Sequence, residues 1–101
     1  LYRELAADVG SKEGSAAAYY VLEDTFEKGD MDKTEKAIFA YSEREPQAYW
    51  LAKAFILLGD VYVRKGDNFQ ARATYQSVAG GYSPADDGIV DEAKERIAKL
   101  N

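Results

Sequence analysis

The fold is decided by residues 55–75, whose sequence is FILLGDVYVRKGDNFQARATY. The first part is apolar nearly all round a helix, which requires neighbours on more than one side. Lys65-Gly66-Asp67 follows it and precedes a second amphipathic segment. Glycine ends a helix readily because it adopts the left-handed conformation, and an aspartate after it can cap the next helix. The stretch therefore predicts two helices joined by a tight turn at Gly66.

The tripeptide Lys-Gly-Asp occurs twice in the chain. Its first copy, at residues 28–30, stands 37 positions before the copy at residues 65–67, and each lies between two amphipathic segments. A chance match of three residues is the simplest alternative, but the similar flanking segments argue against chance. A period of about 20 to 50 residues is typical of solenoids, in which similar helical units stack.

Turn signals divide the chain into helical segments. Ala, Leu, Glu and Lys are frequent between these signals, while β-branched runs are nearly absent, so the predicted fold class is all-α. The pair Gly80-Gly81 is predicted to lie in a turn. The predicted helices cover residues 14–28, 31–44, 48–65, 68–79 and 86–100, with residues 1–9 as the tail of an earlier helix.

The second copy carries a family pattern. Phe55-x-x-Leu58-Gly59-x-x-Tyr62 lies on its first helix and Ala71-x-x-x-Tyr75 on its second, followed by Pro84. This pattern resembles the tetratricopeptide repeat (TPR) family. Gly59 and Ala71 are small residues, and we expect them to face each other where the two helices cross.

The resemblance implies a right-handed α-α superhelix within a single domain, residues 1–101. It assigns residues 15–47 to repeat one, 48–85 to repeat two and 86–101 to a C-terminal capping helix. The first copy departs from the pattern, because Ala18, Leu22 and Thr25 stand where the second copy has Phe55, Gly59 and Tyr62. The spacing of 37 also exceeds the 34 of the standard repeat. The extra residues are expected around Tyr49-Trp50-Leu51, either in the turn or as an added helical turn.

The composition excludes most familiar active sites. The 101 residues include no Cys and no His, which removes His-based triads, Cys nucleophiles and thiolate or imidazole metal sites. The acidic pair Asp30 and Asp32 does not continue as a calcium-binding loop, because a Glu stands where that loop needs its glycine. We therefore predict a chain that is not an enzyme, with no catalytic residue, metal or cofactor.

Binding of a protein partner remains as the expected function. In the TPR family the first helix of each repeat lines a concave groove, and the resemblance implies that the groove of this chain binds a protein or peptide. Tyr19 and Tyr20 are adjacent, so which of them faces the groove stays open. The implied partner-binding residues are Tyr19, Tyr20, Glu23, Lys53, Ile56, Asp60 and Arg64.

The chemistry of the partner follows from these residues. The Lys, Asn and Arg clamp of TPR domains that hold chaperone tails is missing, and the aromatic and acidic residues favour a peptide with apolar and basic side chains. A net charge of −5 argues against nucleic acid, and the uncharged stretches are too short for membrane insertion.

A different class of function stays open beside this one. The chain could be a structural cap or assembly unit of a longer repeat array, acting through its end faces or by self-association as a homo-oligomer. The absence of Cys leaves the compartment open. The long repeat and the Pro-x-x-Tyr-Trp-Leu-Ala entry are similar to bacterial envelope TPR proteins, which favours an envelope or periplasmic location.

Overall fold

The computed structural model describes residues 12–44, 46–82 and 88–100. The helices in these ranges are α1 (Lys12–Glu27), α2 (Met31–Glu43), α3 (Ala48–Arg64), α4 (Asn68–Gly81) and α5 (Ile89–Lys99). The described residues contain no strand, so the predicted all-α class is confirmed. The predicted tail at residues 1–9 and the closing Pro84 lie outside the described residues.

The two Lys-Gly-Asp turns have the same backbone and capping arrangement. Gly29 and Gly66 have φ values of 90° and 82°, in the left-handed region that favours glycine. One carboxylate oxygen of Asp30 accepts a hydrogen bond from the Lys33 amide at 3.0 Å. Asp67 accepts the corresponding bond from the Gln70 amide at 3.1 Å. Both turns therefore end one helix and cap the next, as the sequence predicts.

The end of α4 and the beginning of α5 differ from the prediction for a physical reason. The turn predicted at Gly80-Gly81 is wrong, because both glycines belong to α4, which gives way to extended backbone at Tyr82. A glycine ends a helix only when it leaves the helical conformation, and neither has a positive φ. The last helix begins at Ile89 and not, as predicted from the sequence, at residue 86. Gly88, directly before it, takes the left-handed conformation with φ 88°.

Helix α3 lies at the centre of the packing. It contacts each of the other four helices, as its apolar composition predicts. Along the described chain each helix also packs against the next, and α1 and α5 flank α3. No other pair of the described helices is in contact. The surface formed by α1, α3 and α5, named here the odd-helix face, is therefore distinct from the side that carries α2 and α4.

Buried positions on α2 and α4 follow the offset of the two turns. The buried residues of α2 are Thr34, Ile38 and Tyr41. Those of α4 are Ala71, Tyr75 and Val78, each 37 positions later. The two helices thus present the same positions to the core although the residue types differ, with a threonine in place of alanine and an isoleucine in place of tyrosine.

The close approach of α3 and α4 occurs at Gly59, where the ring of Tyr75 lies nearest. The three atoms nearest to a Cβ placed on Gly59 all belong to the ring of Tyr75. Ala71, which was expected to face Gly59, is fully buried in the same core. The ring of Tyr75 therefore fills the space beside the bare backbone of Gly59.

Candidate functional site

The predicted binding residues lie on α1 and α3, the first two helices of the odd-helix face. Five of the seven remain at least partly exposed, and they are Tyr20, Glu23, Lys53, Asp60 and Arg64. Ile56 is 3% exposed and belongs to the hydrophobic core. Its placement in the groove surface is therefore corrected, because its side chain lies among the core residues and not at the surface.

The two adjacent tyrosines have different environments. Tyr19 is 7% exposed, whereas Tyr20 is 41% exposed, so Tyr20 is the one that faces solvent. The Tyr19 hydroxyl donates a hydrogen bond to Glu23 Oε2 at 3.3 Å. Burial first, and then the negative charge of Glu23, raise the pKa of Tyr19 above its ordinary value, so this hydroxyl stays a donor. Tyr19 thus packs beneath the exposed residues of the odd-helix face.

Four rings form a continuous aromatic cluster, defined as Tyr19, Tyr20, Tyr49 and Trp50. The Trp50 ring lies 5.5 Å from Tyr19 and 5.8 Å from Tyr20, measured between centroids. Tyr49 meets Trp50 edge-on at 5.1 Å. These separations and tilts are those that aromatic pairs prefer. The cluster joins the middle of α1 to the first turn of α3.

Lys53 completes the cluster with a positive charge. Its Nζ lies 5.6 Å from the centroid of Tyr19 and 5.9 Å from that of Tyr49. An ammonium group within about 6 Å of a ring face is held there by the ring quadrupole. Lys53 was predicted as a binding residue, and the structure shows what positions it.

Sequence reasoning did not include Tyr49 and Trp50 in the site. They were expected around the extra residues of the longer repeat, either in the turn or in an added helical turn, and the structure places them in the first turn of α3. One signal could have found them, since Tyr49 and Lys53 are four residues apart and such pairs meet on a helix surface.

A charged cluster of Asp60, Glu92 and Arg96 lies on α3 and α5. Arg96 approaches Asp60 Oδ2 at 3.6 Å and Glu92 Oε1 at 3.1 Å. The hydroxyl of Tyr75 donates a short hydrogen bond to the other oxygen of Asp60. Burial raises the pKa of Asp60, while the Tyr75 hydrogen bond and the Arg96 charge act in the opposite direction. Both oxygens of Asp60 are therefore engaged within the chain.

These contacts bear on the expected attraction of a basic peptide. Glu23 accepts from Tyr19, and Asp60 is held by Tyr75 and Arg96. A partner cation would have to compete with these groups for either carboxylate. Arg64 is different, because its guanidinium is exposed and lies 4.8 Å from the centroid of Phe26. The groups best placed to meet a partner are thus aromatic and cationic.

Two kinds of site are absent from the described part of the chain. Its acidic residues form no group of three that could hold a metal ion. None of the helices found there has the combined length and apolar character needed to cross a membrane.

Comparisons of the chain with protein-family models, with curated proteins and with solved structures gave no match.

Proposed function

We propose that the chain is a protein-protein interaction module with a TPR-like architecture. In this proposal the odd-helix face is the concave surface of a short right-handed superhelix and binds a segment of a partner protein. The module has no catalytic role, and it acts by holding the bound partner in position.

Three features support the superhelical part of the proposal. The turns at Gly29 and Gly66 share their φ values and their aspartate caps. The buried positions of α2 recur on α4 at the same offset of 37 residues. Each helix contacts its sequence neighbour, and α3 contacts both α1 and α5. Stacked helical hairpins produce this order of contacts.

The aromatic cluster is the observation that carries the binding proposal. Tyr20 is 41% exposed although its ring lies 5.8 Å from Trp50. Tyr49 and Trp50 pack only partly against the core. Rings held by their neighbours lose little conformational freedom on binding, and exposed Tyr and Trp are frequent anchors of interfaces. The rings are thus ordered and accessible at the same time.

A peptide selection followed by mapping tests the proposal. A displayed library of random peptides is selected against the chain, and the bound position of each selected peptide is mapped by ¹H–¹⁵N NMR. We expect shifts concentrated at Tyr20, Trp50 and Lys53. Shifts confined to α2 and α4, with none at the aromatic cluster, would reject the odd-helix face as the binding surface.

A second candidate function is that of an assembly unit. Phe69 is 84% exposed and Phe39 is 44% exposed. Both line one groove between α2 and α4, together with Phe55 and Tyr62. An exposed ring beside an apolar groove favours pairing with a second copy. Sedimentation equilibrium separates the two candidates, because an assembly unit would be dimeric, and Phe69→Asp would make it monomeric without affecting peptide binding.

A further inference from the structure

A groove at one end of the odd-helix face combines positive charge with an apolar floor. It lies between the C-terminal ends of α1, α3 and α5, with Tyr75 of α4 also in its lining, and has a volume of about 330 Å³. Phe26, Val63 and Leu100 contribute its apolar lining. Its charged residues are Asp60, Arg64, Arg96 and Lys99.

The charges of this groove do not cancel. Arg96 is shared between Asp60 and Glu92. Arg64 and Lys99 form no ion pair with any carboxylate of the described residues. The charged side chains that line the groove are three cations and one anion. The chain as a whole is acidic, but screening over about 8 Å at physiological salt makes the local charges decisive.

Arg64 is held in position for an incoming anion. Its guanidinium lies over the ring of Phe26 at 4.8 Å, so the side chain is partly ordered before binding. The edge of a guanidinium can donate two parallel hydrogen bonds. A carboxylate is the partner that matches such a fork. The apolar floor beside it has room for one aliphatic side chain.

We propose that this groove binds an acidic side chain of the partner together with an apolar side chain next to it. Arg64 and Lys99 bind the carboxylate, and the apolar neighbour packs on Phe26, Val63 and Leu100. This inference rests on the proposed function of the odd-helix face and names the chemistry of its partner. It differs from the basic peptide that the sequence predicts, because the structure engages Glu23 and Asp60 internally.

Blocked peptides test the proposal directly. The probes are acetyl-Gly-Leu-Glu-Gly-amide and the same peptide with Gln or Lys in place of Glu, so that the side chain is the only carboxylate. A fourth probe, acetyl-Gly-Leu-Gln-Gly with a free carboxyl terminus, distinguishes a terminal carboxylate from a side-chain one. Binding is followed by ¹H–¹⁵N NMR at the Arg64 side chain and at the backbone amides of residues 60–64 and 96–100.

We expect the Glu peptide to bind at these positions about tenfold more tightly than the Gln peptide, as for a hydrogen-bonded charge. Arg64→Gln combined with Lys99→Gln should remove that preference. Lys94→Gln removes the same charge from an exposed position of α5 and should leave the preference intact. Circular dichroism confirms that each variant keeps its fold, and Arg64→Lys provides a milder change if the double variant does not.

Several outcomes would overturn the proposal. One is equal binding of the Glu and Gln peptides, and another is tighter binding of the Lys peptide. A third is that Lys94→Gln removes the preference for the Glu peptide as fully as the double variant does. The fourth is tighter binding of the peptide with the free carboxyl terminus than of the Glu peptide. A failed carboxylate preference beside selected peptides that still contact Tyr20 and Trp50 rejects only this inference. If the carboxylate preference and the contacts with Tyr20 and Trp50 are both missing, the proposed function is rejected as well.

Discussion

The ring of Tyr75 occupies the space that a side chain at Gly59 would need. A Cβ built on Gly59 would lie 2.6 Å from Tyr75 Cδ1 and 2.7 Å from its Cζ, distances that real Cβ atoms do not tolerate. Tyr75 is 1% exposed, and its hydroxyl is bonded to Asp60, so the ring has little freedom to withdraw. The contact sets the distance between α3 and α4 and fixes the position of Asp60 on the odd-helix face.

Gly59→Ala is expected to destabilise the chain. Overpacking a filled site costs about 1–3 kcal/mol, which exceeds the gain of about 1 kcal/mol that alanine brings to a helix interior. Gly59→Leu should cost more. The free energy of unfolding in urea is the measurement, and unchanged stability of both variants would show that the ring does not hold this position.

Gly80→Ala is the matched control in the neighbouring helix. A Cβ on Gly80 meets nothing within 4 Å, and the residue is helical. The same substitution should therefore leave stability unchanged or raise it by up to about 1 kcal/mol. A loss of stability comparable to that of Gly59→Ala would show that the space around the glycine does not decide the effect.

Gly66→Ala tests the turn between α3 and α4. The space around Gly66 is open, but its φ of 82° strains any residue with a Cβ. We expect a cost of about 1–2 kcal/mol from the backbone alone. Gly29→Ala should behave in the same way, because its φ is 90°. Thermal melting of both variants is the test, and a large difference between them would argue against equivalent turns.

The sequence was most informative where local chemistry decides the structure. The turns at Gly29 and Gly66 were predictable because a glycine followed by a capping aspartate has few alternatives. The continuation of α4 through Gly80 and Gly81 was not, since a glycine is also compatible with a helix when nothing else ends it. The covering of Gly59 by Tyr75 depends on the distance at which α3 and α4 cross. The periodicity of the sequence carries no information about that distance.

Asp60→Asn is expected to change how stability depends on pH. Because burial raises the pKa of Asp60 above its ordinary value of 3.8, the folded chain binds this proton before the unfolded chain does. As pH falls through the folded pKa towards 3.8, the wild type should gain stability relative to Asp60→Asn. Urea unfolding at several pH values between 7 and 4 measures the difference.

Asp67→Asn should show the opposite sign. Hydrogen bonds from the backbone and side chain of Gln70 hold the pKa of Asp67 below its ordinary value, so its stabilising contribution is lost on acidification. The wild type should therefore lose stability relative to Asp67→Asn as pH falls through that depressed pKa. Parallel pH profiles for the two variants would contradict the assignment of burial at Asp60 and capping at Asp67.

The candidate site was only partly predictable. The resemblance placed Tyr20 on the first helix and Lys53 and Arg64 on the third, and the structure leaves all three at least partly exposed. It could not decide between Tyr19 and Tyr20, since neighbouring helix positions differ by about 100° and the covering helix is remote in sequence. Ile56 was misplaced for the same reason. The engagement of Asp60 by Arg96 also joins residues from separate helices.

The affinity of a selected peptide for Tyr20→Ala, set against Phe39→Ala, tests the central proposal most directly. Tyr20 and Phe39 are 41% and 44% exposed, so the two substitutions remove similarly exposed rings, one from α1 on the odd-helix face and one from α2. If the odd-helix face binds the partner, Tyr20→Ala should raise Kd by about tenfold or more while Phe39→Ala stays within about twofold of the wild type. A Kd unchanged by Tyr20→Ala and raised by Phe39→Ala would contradict binding on the odd-helix face.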